Sequence, residues 1–172
     1  MMGSFRSAGL VLLGGLMAMA GAAAAQPIKG LAGTWRLVSY YDVENGNTVH
    51  RFGEKPVGLF VFTADGHAAI QIASAANPAC LAPAKKSGAG RKDDTELPAC
   101  DTKQMQALMD GTVAYWGTYS VDHAAGVVIV RVKSDLSNGY GGTEQRRPFR
   151  LDGDRLEIGD GKTWFRILER VQ

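Results

Sequence analysis

From residue 33 onward the apolar positions fall in short runs with a period near two, separated by clusters of Gly, Asn and Asp. This is the pattern of half-buried strands. Residues 34–43 mix β-branched and aromatic side chains and end at the turn Glu44-Asn45-Gly46-Asn47, after which 48–52 predict a short strand. Residues 58–63, with Leu-Phe-Val-Phe at their centre, turn through Ala64-Asp65-Gly66 into 67–74. Asp-Gly tolerates the positive φ that a tight hairpin connection needs. Further strands are expected at 117–121, 127–133, 143–151, 155–158 and 163–171. Pro148 has no N–H to give to a ladder, which predicts an edge strand or a bulge there.

One segment has a helical period instead. Asp101 caps a helix expected over 102–115, and Gln104 completes a capping box. Met105, Leu108, Met109, Val113 and Trp116 then share one face, which suits core packing or an adaptable contact with a ligand. Such a helix would close or flank the sheet. About eight strands with one short helix predict an all-β fold, an antiparallel barrel whose interior is either filled or holds one small ligand. Residues 75–100 interrupt the rhythm with Pro78, Pro83 and Pro98, the basic stretch 85–92 and both cysteines. A loop of this length reads as a flap over a barrel mouth or as a tolerated surface insertion.

The first 25 residues carry Arg6, the apolar run 10–20 and an Ala-x-Ala site before Gln26. This composition predicts a removable secretory signal peptide, and its apolar part is shorter than the roughly 20 residues a spanning helix needs. The expected mature chain, residues 26–172, is one domain, periplasmic or secreted. Loss of Arg6 would leave 18 basic against 17 acidic residues, so nothing in the charge favours nucleic acid or an anionic membrane as partner. An oxidising compartment makes a Cys80–Cys100 disulfide the expected use of the two cysteines; their spacing, with no nearby histidine, fits neither a redox nor a metal pair.

Several motifs together resemble the lipocalin-like domain family of small bacterial and fungal proteins: Gly33-Thr34-Trp35-Arg36-Leu37-Val38-Ser39-Tyr40, Phe52-Gly53-Glu54-Lys55-Pro56-Val57-Gly58, Thr63-Ala64-Asp65-Gly66-His67 with Gln71, and Ala114-Tyr115-Trp116-Gly117-Thr118-Tyr119. The stretch from Gly142 to Leu156 extends the likeness over nearly all of the expected mature chain. The resemblance implies an eight-stranded calycin-type barrel in which a first-strand tryptophan, Trp35, meets an arginine near the end, Arg170, as architecture and not chemistry. The 77–100 loop is longer than the resemblance leads one to expect.

No nucleophile elbow, zinc-binding helix, Walker loop or dinucleotide fingerprint occurs in the sequence, and no cofactor or metal is expected. The glycine-rich stretch 138–142 precedes a strand, which argues against a phosphate cradle. Candidate ligand-binding residues are Ser39 and Tyr41, placed on one face with Trp35 and Leu37; His67 and Gln71, four apart on one strand face; Tyr119; and Arg131. His67 and Gln71 could equally be a satisfied polar pair at a strand end. Arg131 and Lys133 face solvent if Val128, Val130 and Val132 fill the core, and the cluster Arg146, Arg147 and Arg150 is open in the same way. The resemblance, together with the absence of a catalytic motif, implies an exported protein that binds a small, mostly apolar molecule. The alternatives are a barrel isomerase, cyclase or hydrolase, and a protein-binding module built on the 75–100 loop.

Overall fold

The fold is that of a computed structural model, which describes residues 30–75, 100–136 and 139–172. The signal-peptide region, Cys80 and most of the 75–100 loop lie outside the described residues. Nine strands and one helix follow in the order β1 (Gly33–Glu44), β2 (Asn47–Val49), β3 (Val57–Phe62), β4 (His67–Ala73), α1 (Thr102–Asp110), β5 (Thr112–Asp122), β6 (Val127–Asp135), β7 (Glu144–Asp152), β8 (Arg155–Gly159) and β9 (Trp164–Arg170). All pairings are antiparallel, and β1 pairs with both β3 and β9, so eight strands close into a barrel. The ninth strand, β2, only folds back on the last three residues of β1.

Inward positions follow the period of two. Phe60 and Phe62 on β3, Ala68, Ile70 and Ile72 on β4, Val128, Val130 and Val132 on β6, and Leu156 and Ile158 on β8 all enter one apolar core. The barrel end where β1 begins is sealed. Trp35 and Leu31 there are fully buried, and the Trp35 indole N–H donates to the Leu31 carbonyl at 2.9 Å. Arg170, directly opposite Trp35 in the ladder, lays its guanidinium 4.0 Å from the indole centroid. It also donates to the Ala32 carbonyl at 3.0 Å and to Asp154 at 3.0 Å.

Two bulges change which side chains point inward. In β1 the register with β9 shifts between Leu37 and Ser39, leaving Val38 as an extra residue. A one-residue insertion reverses the faces beyond it. Trp35 and Leu37 therefore face in before the bulge, whereas Tyr40 and Asp42 face in after it. In β6 the shift opposite Trp116 and Gly117 makes Lys133 the extra residue. Gly117 is required at that crossing, because a Cβ on it would lie 2.0 Å from the Arg131 carbonyl oxygen.

Three sequence expectations change. The helix has the expected Asp101 cap and reciprocal Gln104 contact, but it ends at Asp110 with Gly111 as its C-cap. Thr112 and Val113 are β-branched and begin β5, so Val113 is a buried strand residue and Trp116 is 53% exposed on the outer face. The stripe that simulated a longer helix joined residues from opposite faces of β5: Val113 belongs to the inward set Val113-Tyr115-Gly117-Tyr119, whereas Trp116 faces out. Finally, β7 is an interior strand with no register shift. Pro148 is tolerated because it is the last residue paired with β6 and stands just before the first pair with β8.

Candidate functional site

The barrel end opposite Trp35 is hollow. A cavity of about 470 Å³ extends down from the ends of β1, β4, β6 and β8 and the starts of β5, β7 and β9. Its floor is apolar, with Phe60, Phe62, Ile70, Val128, Val130 and Ile158, and the apolar lining continues through Ile72 and Val113 toward the open end. Its upper wall is aromatic and charged: Tyr40, Asp42, Tyr115, Tyr140, Arg147, Trp164 and Arg166. An apolar body with a few polar groups at one end is the usual anatomy of a small-molecule site, and the volume falls in the usual range.

The polar wall is built by alternation on two late strands. On β7 the inward residues are Gln145, Arg147, Phe149 and Leu151, and on β9 they are Trp164, Arg166, Leu168 and Arg170. The start of β9 is held by Asp160, whose carboxylate accepts the Thr163 hydroxyl and the N–H groups of Lys162, Thr163 and Trp164. The Thr163 contacts, hydroxyl first, hold this carboxyl below the usual carboxylate range.

Arg166 is 14% exposed and donates to Asp42 at 2.9 Å, while its guanidinium covers the Tyr40 ring at 3.3 Å. Asp42 also accepts from Arg51 at 2.5 Å. Burial pushes the Asp42 carboxyl up, but the bonds from Arg51 and Arg166 outweigh it and leave the group below its ordinary value. Tyr115 is packed edge to face with Tyr140, centroids 5.5 Å apart. Burial pushes its hydroxyl up to about 12, against the opposing pull of Arg147.

These shifts predict both limbs of the stability profile. A depressed carboxyl stabilises the fold above its unfolded value and loses that contribution as pH falls through the folded one, so Asp42→Asn should make the acid limb shallower. A raised phenol keeps its proton in the fold while the unfolded chain loses it, so stability should fall between about pH 10 and about pH 12 by an amount of order 2 kcal/mol. Urea titrations across pH should show Tyr115→Phe flattening the alkaline limb and leaving the acid limb alone.

The six sequence candidates do not gather at this cavity. Ser39 and Tyr41 were expected to share the face of Trp35 and Leu37; the β1 bulge turns them outward, where Tyr41 stacks on Phe165 at 4.8 Å. His67 and Gln71 do share a face, but it is the outer one, because Ala68, Ile70 and Ile72 point in. His67 lies 3.3 Å from Asp65 at the sealed end. Tyr119 points inward but is packed in the core, edge-on to Phe62 at 5.2 Å, with its hydroxyl donating to the Thr63 carbonyl at 2.9 Å. Arg131 is outside, 3.3 Å from Glu144 and 3.1 Å from the Ser120 hydroxyl.

The wall residues Tyr40, Asp42, Tyr140, Arg147 and Arg166 were not singled out as a site from the sequence. Arg147 was visible as a member of an ambiguous cluster; the alternation Gln145-Arg147-Phe149-Leu151 was the signal that puts it inside and Arg146 and Arg150 outside. Tyr140 lies within the glycine-rich sequence 138–142, which has no period to read, and its placement depends on Asp135 accepting the Tyr140 and Gly141 N–H groups at 3.1 and 2.8 Å.

The lipocalin-like domain family matches this chain over residues 32–168, which spans the whole barrel from the segment before β1 into β9. The chain belongs to the lipocalin-like domain family. No curated protein matches it. For a lipocalin-like barrel, a sealed end and a hollow one give the interior a single direction of entry among the described residues. A second, shallower groove of about 410 Å³ lies on the outside of β4, β5 and β6, beside Trp116 and Leu136. No helix among the described residues is long and apolar enough to cross a membrane.

Proposed function

We propose that this lipocalin-like protein is exported and binds a small, mostly apolar molecule within its barrel. The observation that carries the reading is the 470 Å³ cavity with an apolar floor and a polar upper wall. At the roughly 30 Å³ that a water occupies in the liquid, this is room for about 15 non-hydrogen atoms. An apolar lining of that size gains dispersion contacts from a bound apolar molecule that fits it. The leader-like composition of residues 1–25 supports export, and the same compartment would favour a Cys80–Cys100 bridge.

Native mass spectrometry of the protein recovered from the organism that makes it tests both parts. The expected species starts at Gln26, is two hydrogens lighter than the dithiol, and carries one small-molecule adduct that solvent extraction removes. A chain that keeps its first 25 residues would refute export, and a protein that neither carries an adduct nor takes up apolar compounds would refute the binding reading.

A further inference from the structure

Three arginines point into the barrel among the described residues, and two of them have their charge answered. Arg170 at the sealed end donates to Asp154, and Arg166 in the upper wall donates to Asp42. Arg147 has no carboxylate partner among the described residues. Its guanidinium donates to the Gln145 side-chain oxygen at 2.6 Å and stands 5.5 Å from the Trp164 ring centroid. A neutral amide and an aromatic face leave a half-buried cation with most of its charge and several N–H donors uncompensated.

Two phenolic donors line the same cavity as Arg147. Tyr115 and Tyr140 line the cavity beside one another, and their hydroxyls make no hydrogen bond to another described residue. Arg147 is close enough to act electrically on the Tyr115 hydroxyl. That hydroxyl keeps its proton across the physiological range, so it remains a donor. One guanidinium fork with two phenolic donors at the top of an apolar cavity is complementary to a single planar anion attached to an apolar chain.

We infer that the cavity takes an amphipathic monocarboxylate, with its carboxylate on Arg147 between Tyr115 and Tyr140 and its hydrocarbon part against the apolar lining of Phe60, Ile70 and Val130. A carboxylate matches the planar two-point geometry of guanidinium, and one unanswered cation calls for one negative charge. The inference rests on the cavity being a ligand site and goes further by assigning the chemical class of the ligand.

The test compares decanoate with 1-decanol, which have the same apolar chain and differ in the charged head. Calorimetric titration of the wild-type protein should show decanoate binding tighter by tenfold or more, the size expected for hydrogen bonds to a charged group. Arg147→Met should erase that preference while 1-decanol binds as before, so the alcohol reports that the variant is folded and the cavity intact. Tyr115→Phe should reduce the preference in part, and Arg150→Met, on the outward face of the same strand, should leave it unchanged. Equal affinity for the two probes in the wild-type protein, or a preference that survives Arg147→Met, would overturn the carboxylate assignment while leaving the cavity as a ligand site. Binding of neither probe would overturn both.

Discussion

Trp35→Ala should lower the stability of the folded chain by about 3–5 kcal/mol, the range for removing a large aromatic side chain from a core. Three losses coincide at this position. The indole is fully buried, so its whole area leaves the sealed end. Its N–H is the partner of the Leu31 carbonyl at 2.9 Å, which would be left without that donor. Its ring is the face on which the Arg170 guanidinium rests at 4.0 Å, so a cation at the end of the core would lose its aromatic cover. Urea unfolding should show a lower midpoint with an unchanged slope. Trp116→Ala is the matching control, since that ring is 53% exposed, and it should shift the midpoint little. Comparable losses at the two positions would refute the sealed end as the anchor of the barrel.

The second large effect concerns the hollow end. Val130 is 2% exposed and Val113 is 9% exposed, and both belong to the apolar lining of the cavity. Because the space beside them is unfilled, enlarging them should place new atoms in the void with less strain than the 1–3 kcal/mol typical of a packed core. The double variant Val113→Trp with Val130→Phe should therefore remain folded and lose at least tenfold in affinity for 1-decanol. An enlargement of similar size on the outer face, Ala69→Phe, should leave binding as it was. Retained affinity in the filled barrel would place the ligand elsewhere, with the outer groove beside Trp116 and Leu136 the evident alternative.

The architecture was readable in the sequence because it depends on local alternation. The β3 to β4 hairpin follows from the apolar run Leu59-Phe60-Val61-Phe62, of which Phe60 and Phe62 face in, and from Asp65-Gly66 between the strands. The cap of α1 was readable for the same reason, since Asp101 and Gln104 satisfy each other within one turn. Its end was not, because Val113 and Trp116 fit a helical stripe as well as they fit a strand and only the ladder with β4 decides between them.

The site was less legible because it depends on parity, which a bulge reverses without any mark in composition. Ser39 and Tyr41 belong to the face of Trp35 by simple counting, and the extra residue Val38 moves Tyr40 and Asp42 into the barrel in their place. Arg131 could not be assigned a face until Val128, Val130 and Val132 were seen in the core. The Asp42–Arg166 pair joins residues far apart in sequence that meet only because β1 and β9 close the barrel. Neither residue carries a local signal of its partner.

Titration of the isotopically labelled protein with 1-decanol, followed by amide chemical shifts, tests the central claim most directly. Binding within the barrel predicts a saturating one-to-one change concentrated at the cavity-lining residues of β3, β4, β6 and β8, with Phe60, Ile72, Val130 and Ile158 prominent and the sealed end near Trp35 little affected. Shifts that fail to saturate, or that cluster on the outer face around Trp116 and Leu136, would contradict it.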